Sequence, residues 1–371
     1  MSPLSIPAGV LAEARRTTRE LTAATGIDID AEETLGGRAA LLGLAPNGAV
    51  SAGGAARLMK ASDGWCALSL ARPDDVDAVP ALVEADVSTA DPWPAVREYA
   101  HRSSVQTLAD RARLLGLPVG VLGETTPAAP AVRAVGRAAP PRPLHDLLVV
   151  DLTSMWAGPL CGRLLAGAGA TVVKVESRRR PDGTRNGSPQ FFDWVNSGKL
   201  SYAAAFDRPA GLRRLLSVAD VVLESSRPAA LRSRGLGPDD VPARDGRIWL
   251  QITGHGVHGD RAHWVAFGDD AAVSGGLVRG TPEAPAFCGD AIADPLTGLD
   301  AARAVMDSHA RGGGEVIGVA MAAVAARYAQ LPNSGDAVLT KPLSPVPPAA
   351  ELGRHNELVD RMARDRLATP C

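Results

Sequence analysis

The stretch Val149-Val150-Asp151-Leu152-Thr153-Ser154-Met155-Trp156-Ala157-Gly158-Pro159, followed by Gly169-Ala170-Thr171-Val172-Val173-Lys174-Val175-Glu176, decides the fold. It alternates strand, loop, helix and strand. Residues 147–150 are a short apolar run suited to a buried strand. Gly158-Pro159 breaks the loop and opens a helix, on which Leu160, Leu164, Leu165 and Ala168 share one face. Gly169 ends that helix, and residues 171–175 form a second, β-branched strand. A βαβ unit sets its first loop at the carboxyl edge of a parallel sheet, where open α/β folds bind ligands.

Working outward, the pattern continues. Residues 209–217 predict a short helix with Leu212, Leu215 and Leu216 on one face. Residues 219–224 and 247–253 predict strands. Residues 294–310 predict a strong helix, with Pro295 at its first position, Leu296, Leu299, Ala302 and Met306 on one face, and Gly312 beyond its end. Strands alternating with helices imply a parallel-sheet, Rossmann-like α/β large domain over residues 144–371. Ahead of it, residues 127–143 are rich in proline and alanine and predict an exposed linker; residues 342–348 form a shorter proline-rich stretch. Residues 1–126 predict a smaller α+β domain. It holds a helix at 8–25, a strand at 65–70 after the Asp63-Gly64 turn, helices at 76–83 and 107–115, and a strand at 118–122.

Composition narrows the function. The 371 residues suffice for two domains, and a net charge of −2 with dispersed basic residues gives no case for nucleic acid. Cys66, Cys161, Cys288 and Cys371 lie far apart, without CxxC or Cys/His pairing, so neither a metal site nor a disulfide framework is expected, and the cytoplasm is the expected compartment. The first residues carry no charged n-region or apolar h-region, so a signal peptide is not expected, and no apolar run is long enough for a membrane span. GxGxxG and GxxxxGK are absent, which disfavours dinucleotide and NTP sites.

The wording of the opening stretch, D-L-T-x-x-x-A-G-P followed by G-A-x-V-x-K-V-E, resembles the family III CoA-transferases. The similarity extends to Asp290-Ala291-Ile292-Ala293-Asp294-Pro295-Leu296-Thr297-Gly298, to Glu224-Ser225-Ser226-Arg227-Pro228, to Gly254-His255-Gly256 and to Gly312-Gly313-Gly314. The order along the chain differs. Asp63-Gly64-Trp65, Ala71-Arg72-Pro73-Asp74-Asp75 and Gly116-Leu117-Pro118-Val119-Gly120-Val121 resemble the family's small domain, yet precede the large-domain loop. Leu352-Gly353-Arg354-His355-Asn356-Glu357 resembles its closing segment. The resemblance therefore implies a member with the small domain at its front.

It also implies a reaction: transfer of CoA from an acyl-CoA donor to a carboxylic acid acceptor, through a mixed anhydride and an aspartyl-CoA thioester, with coenzyme A as substrate and no resident cofactor. Covalent exchange of this kind needs one ionised carboxylate beside the thioester and donors for the oxyanion. The position matching the nucleophile is Asp294, with Asp290 second; from sequence alone Asp294 reads first as a helix cap, and the resemblance reverses that order, the two roles being compatible because a helix amino terminus holds a carboxylate ionised. The CoA site is expected along Ser154, Met155, Trp156 and Ala157, with Arg178, Ser225, Ser226 and Arg232 as further contacts. Trp156 stands where formyl-transferring members carry a glutamine, so another acyl group is implied; Trp156, Phe267 and Phe287 suggest an apolar pocket. Gly53-Gly54 is a candidate cover. A homodimer is implied. Two alternatives stand beside this reading. An α-methylacyl-CoA racemase needs a histidine near Ala266, where none stands, although His255, His258 and His263 are close in sequence. A non-catalytic CoA-binding subunit is the other.

Overall fold

A computed structural model of the chain describes residues 3–88, 90–332 and 335–368. At its centre is a seven-stranded sheet. Six strands run parallel: Leu148–Leu152, Thr171–Ser177, Leu200–Ala204, Val221–Glu224, Ile248–Thr253 and Glu315–Ala320. Numbered along the chain, these six lie side by side as 3-2-1-4-5-6, the doubly wound Rossmann order. The order reverses between Leu148–Leu152 and Val221–Glu224, and the loops leaving those two strands flank the crevice where such sheets take ligands. Val149, Val150, Val173, Val221 and Val222 are all buried, as parallel strands covered on both faces require.

Two buried ion pairs sit at the carboxyl end of this sheet. Lys199 Nζ lies 2.9 Å from Asp151, and Lys174 Nζ lies 2.7 Å from Asp182 while also donating to the Thr153 carbonyl at 2.6 Å. Asp151 in turn accepts from the Thr153 amide at 3.0 Å. The opening loop is thus pinned from below before it reaches Met155.

Residues 127–143 are largely exposed, but they are not free of the sheet. Ala131–Ala134 pairs antiparallel with Glu315–Ala320 as the outermost strand. An edge strand tolerates the neighbouring prolines, because only one side of its backbone must pair.

Residues at the front of the chain divide between two cores. The Leu4–Pro7 strand pairs antiparallel with Asp336–Leu339. The helices Ala8–Thr25 and Ala31–Leu42 share a core with the large-domain helices Ala157–Gly167, Ala293–Ala310 and Met321–Ala329. A separate core is built by the antiparallel strands Ala56–Lys60, Trp65–Ser69 and Val119–Val121 with the helices Trp93–Arg102 and Val105–Leu114. This second unit seats on the short helix Gly268–Ser274. The Gly123 amide donates to the Val273 carbonyl at 3.0 Å, and the Ser69 hydroxyl donates to Asp270 at 2.6 Å. A Cβ at Gly120 would overlap the Asp270 carbonyl, so glycine permits the approach.

The closing segment returns to the sheet. The His355 amide donates to Ser201, the Ser201 amide donates to His355 Nδ1, and Asn356 pairs both backbone groups of Ala203. Asn356–Ala368 then packs as a helix against Ala210–Val218. Among the described residues no helix is long and apolar enough to cross a membrane. Cys66, Cys161 and Cys288 are buried and unpaired, and burial pushes each thiol upward; Cys371 lies outside the described residues.

Candidate active site

Three elements bring Asp294 into position. It is the second residue of the Ala293–Ala310 helix, whose N-cap is Ile292. The expected capping role is therefore not what its carboxylate does. It lies instead close enough to the Ala157 amide, at the amino terminus of the Ala157–Gly167 helix, for that amide to favour its charged form. Gly298, one turn further along, explains how two helices come so close. A Cβ there would lie 2.8 Å from the Ala157 carbonyl oxygen and 2.7 Å from the Leu160 side chain. The spacing Asp-Pro-x-x-Gly thus couples a carboxylate to the glycine that lets it reach the facing helix. Gly158 does the same for the loop, since any Cβ would overlap the Thr153 side chain.

Asp294 opens into a cavity of about 320 Å³. Met155, Trp156, Phe191 and Phe267 supply much of its wall, and Asp269 and Asp290 lie beside Asp294. The second unit contributes Gly53, Ala55, Ala56, Ser69 and Ala71. The cavity therefore lies between the two cores, and the Gly53-Gly54 loop borders it. Phe287 is buried elsewhere, against Leu58, Ala67 and Val273.

Backbone amides hold two of the neighbouring carboxylates. The Ala291 amide donates to Asp269 at 3.1 Å, and the Phe267 amide donates to Asp270 at 3.1 Å. Burial, with the Asp269 charge adding to it, pushes Asp294 up to about 7. Asp269 is pushed up to about 7 by burial and the Asp290 charge, and Asp270 to about 8 chiefly by burial. The helix dipole does not hold Asp294 in the ordinary carboxylate range, as its position at a helix start suggested; desolvation outweighs it. A carboxyl that titrates near neutrality inside a cleft is the kind of group that reaction sites use.

Arg38 was not singled out from the sequence. It enters from the Ala31–Leu42 helix and places Nη1 2.6 Å from both oxygens of Asp290. Its guanidinium lies 5.4 Å from the ring centroids of both Trp156 and Phe191, which meet edge to face at 5.2 Å. Two non-glycine residues with left-handed backbone flank the site: Met155 (φ 73°) and Ala291 (φ 44°). The Met155 amide is held by Asp182 at 3.1 Å. Such conformations cost about 1–3 kcal/mol each and gather at functional sites.

The expected CoA contacts fall into two groups. Met155 and Trp156 line the cavity, and the Ala157 amide lies near Asp294 and favours its charged form. Ser154, Ser225 and Ser226 lie at the switch point above it. The Ser154 amide donates to Ser225 Oγ at 3.2 Å, and Ser226 Oγ donates to Glu224 at 2.8 Å. Arg232 is close enough to Glu224 to oppose the upward push that burial gives that carboxyl. Arg178 sits by the closing segment, its Nη2 3.1 Å from where a Gly353 Cβ would lie. None of these five residues lines the cavity. Ala266 packs against Gly254 and the core. His255 is half-buried, packs edge to face on Trp264 at 5.2 Å, lies outside the cavity, and is held down to about 4 by desolvation.

Residues 144–343, more than half of the chain, match the family model described as CoA-transferase family III. The chain belongs to that family. It is 32% identical over 198 residues to a succinyl-CoA–D-citramalate CoA-transferase of Chloroflexus aurantiacus, covering 48% of this chain and 49% of that protein. It is 35% identical over 179 residues to a succinyl-CoA:glutarate CoA-transferase of Mus musculus, covering 44% and 41%. A crystal structure of a hypothetical protein from Mycobacterium tuberculosis is similar at 32% identity and a TM-score of 0.46, covering 51% of this chain and 57% of that one. The chain thus spans about half the length of the curated relatives it matches.

Proposed function

We propose that this protein is an acyl-CoA:carboxylate CoA-transferase whose covalent intermediate forms on Asp294. The observation that carries the reading is a half-buried carboxyl, pushed up to about 7, that faces a helix amino terminus at the floor of a largely apolar cavity. The named activities of the relatives support the reaction class.

The steps balance without a metal or a redox partner. An Asp294 oxygen attacks the donor's thioester carbonyl, the C–S bond breaks, and CoA leaves as thiolate. The thiolate attacks the Asp294 carboxyl carbon of the anhydride, and the donor acid departs as carboxylate. The acceptor carboxylate attacks the aspartyl thioester and again releases the thiolate, which finally attacks the acceptor's carbonyl and frees Asp294. No net proton is consumed, so the site must supply an ionised nucleophile and donors for each oxyanion. The Ala157 amide is one such donor. CoA approaches along Ser154, Ser225 and Ser226 at the switch point, with Arg178 and Arg232 as candidate phosphate partners.

The test is incubation with acyl-CoA donors and a panel of free acids, with hydroxylamine trapping and peptide mapping. Transfer of CoA and an adduct on the Asp294 peptide are expected. Exchange of an α-proton without transfer, or an adduct elsewhere, overturns the reading.

A further inference from the structure

We infer that the acyl pocket is built for a short, uncharged acyl group, and that Asp290 enforces this by occupying Arg38. The inference rests on the transferase reading and names its substrate class.

The argument begins with the charge that a substrate brings. The reacting carboxyl of any donor is hidden in its thioester. A dicarboxylic acyl group keeps a second carboxylate, which stays ionised inside the cavity and needs a dedicated cation. Arg38 is the single cationic side chain among the described residues that line the cavity. Its charge is already paired through Nη1. Both oxygens of Asp290 lie 2.6 Å from its Nη1, and Asp290 is itself 2% exposed. The faces of Trp156 and Phe191 flank the guanidinium and fix it in place. The remaining charged groups of the wall, Asp269 and Asp294, are acids. A distal carboxylate would therefore meet no free positive charge and up to two negative ones.

What the cavity offers instead is apolar contact. Leu42, Met155, Trp156, Phe191 and Phe267 line it together with small alanines. At about 320 Å³, it lies at the small end of the roughly 300–1,000 Å³ typical of ligand sites. That size suits a few methylene groups beside the thioester.

The experiment compares kcat/KM for butyryl-CoA and succinyl-CoA in the whole chain, with one common acceptor acid. Wild type is expected to favour butyryl-CoA by about tenfold or more. Asp290→Asn keeps the shape, removes the charge that holds Arg38, and is expected to narrow that ratio by about tenfold through a gain with succinyl-CoA. Equal or better use of succinyl-CoA by wild type overturns the inference and leaves the transferase reading intact. An unchanged ratio in Asp290→Asn overturns the role of Asp290. Transfer from neither donor nor from any longer acyl-CoA overturns the transferase reading itself, which is a distinct result.

Discussion

At the residue scale, the chemistry turns on one carboxyl and its burial. Asp294 is pushed up to about 7, so the fraction able to attack falls as the pH drops below neutrality. Single-turnover formation of the acyl adduct is expected to rise with pH through about 7 and then level; a rate flat from about pH 5 to about pH 9 would show that Asp294 is ionised throughout. The same shift carries a stability signature. The ordinary carboxyl value of 3.8 applies in the unfolded chain, and the folded value is higher. The folded state therefore holds its proton longer, and this contribution is fully present below the unfolded value and lost as pH rises through the folded one. Asp294→Asn, which needs no ionisation, is expected to abolish transfer yet raise Tm more at about pH 9 than at about pH 5. A Tm gain equal at both pH values refutes the shift. Trp156 carries a different expectation. Trp156→Gln removes a large apolar wall and should lower kcat/KM for apolar donors by about tenfold or more while sparing affinity for free CoA. Equal losses for both would assign Trp156 to packing.

At the element scale, one short helix sets the room left for the nucleophile. The helix Gly268–Ser274 begins at a glycine whose Cβ would overlap both the Ala291 carbonyl and the Asp294 carboxylate. Gly268→Ala is expected to displace the nucleophile, losing most transfer, while overpacking costs about 1–3 kcal/mol of stability. Near-wild-type transfer in that variant would mean that Asp294 can move freely. How far such elements could be read from sequence follows from their surroundings. The βαβ unit over residues 148–177 and the helices Ala8–Thr25 and Ala293–Ala310 were legible, because glycine, proline and apolar spacing mark their ends. The strand Glu315–Ala320 was not, because its apolar run passes into the alanine-rich helix Met321–Ala329 without punctuation. The helix Ala31–Leu42 was also missed. Its start signal is present, since Asp30 caps the Glu33 amide at 2.8 Å. Gly36 and Gly37 weaken the helical signal, yet they lie inside the helix, where Leu339 and Leu343 leave no room for a Cβ. Missing that helix meant missing Arg38. The candidate nucleophile and the Trp156 loop were reachable through family wording. The Arg38–Asp290 pair was not, because it joins residues far apart along the chain.

At the scale of the whole molecule, the front of the chain does two jobs that a sequence reading merges into one. Residues 56–122 form their own core and supply one wall of the cavity. Residues 4–42 complete the core beside the sheet. The distinction changes what truncation should do. A chain starting near Arg142 retains all six parallel strands, and on that ground alone it should fold. It would, however, lose Ile6, Val10, Leu11, Leu21 and Leu35, each at most 4% exposed, from the core they share with Ala293–Ala310. At about 1.5–3 kcal/mol for each buried aliphatic side chain, that loss rivals the roughly 5–15 kcal/mol by which whole domains are stable. It would also strip Asp336–Leu339 of its strand partner and Asp290 of Arg38. The truncated chain is therefore expected to unfold without cooperativity and to bind hydrophobic dyes at room temperature. Adding the separate segment 1–126 should restore a cooperative transition and some transfer, because the Pro/Ala-rich connection acts chiefly as a tether, although the edge strand Ala131–Ala134 is lost from both pieces. Calorimetry decides the matter. If the truncated chain alone melts cooperatively within a few degrees of the whole, the front helices are an accessory layer, and Arg38 is the part of them whose loss should still be felt in the acyl pocket.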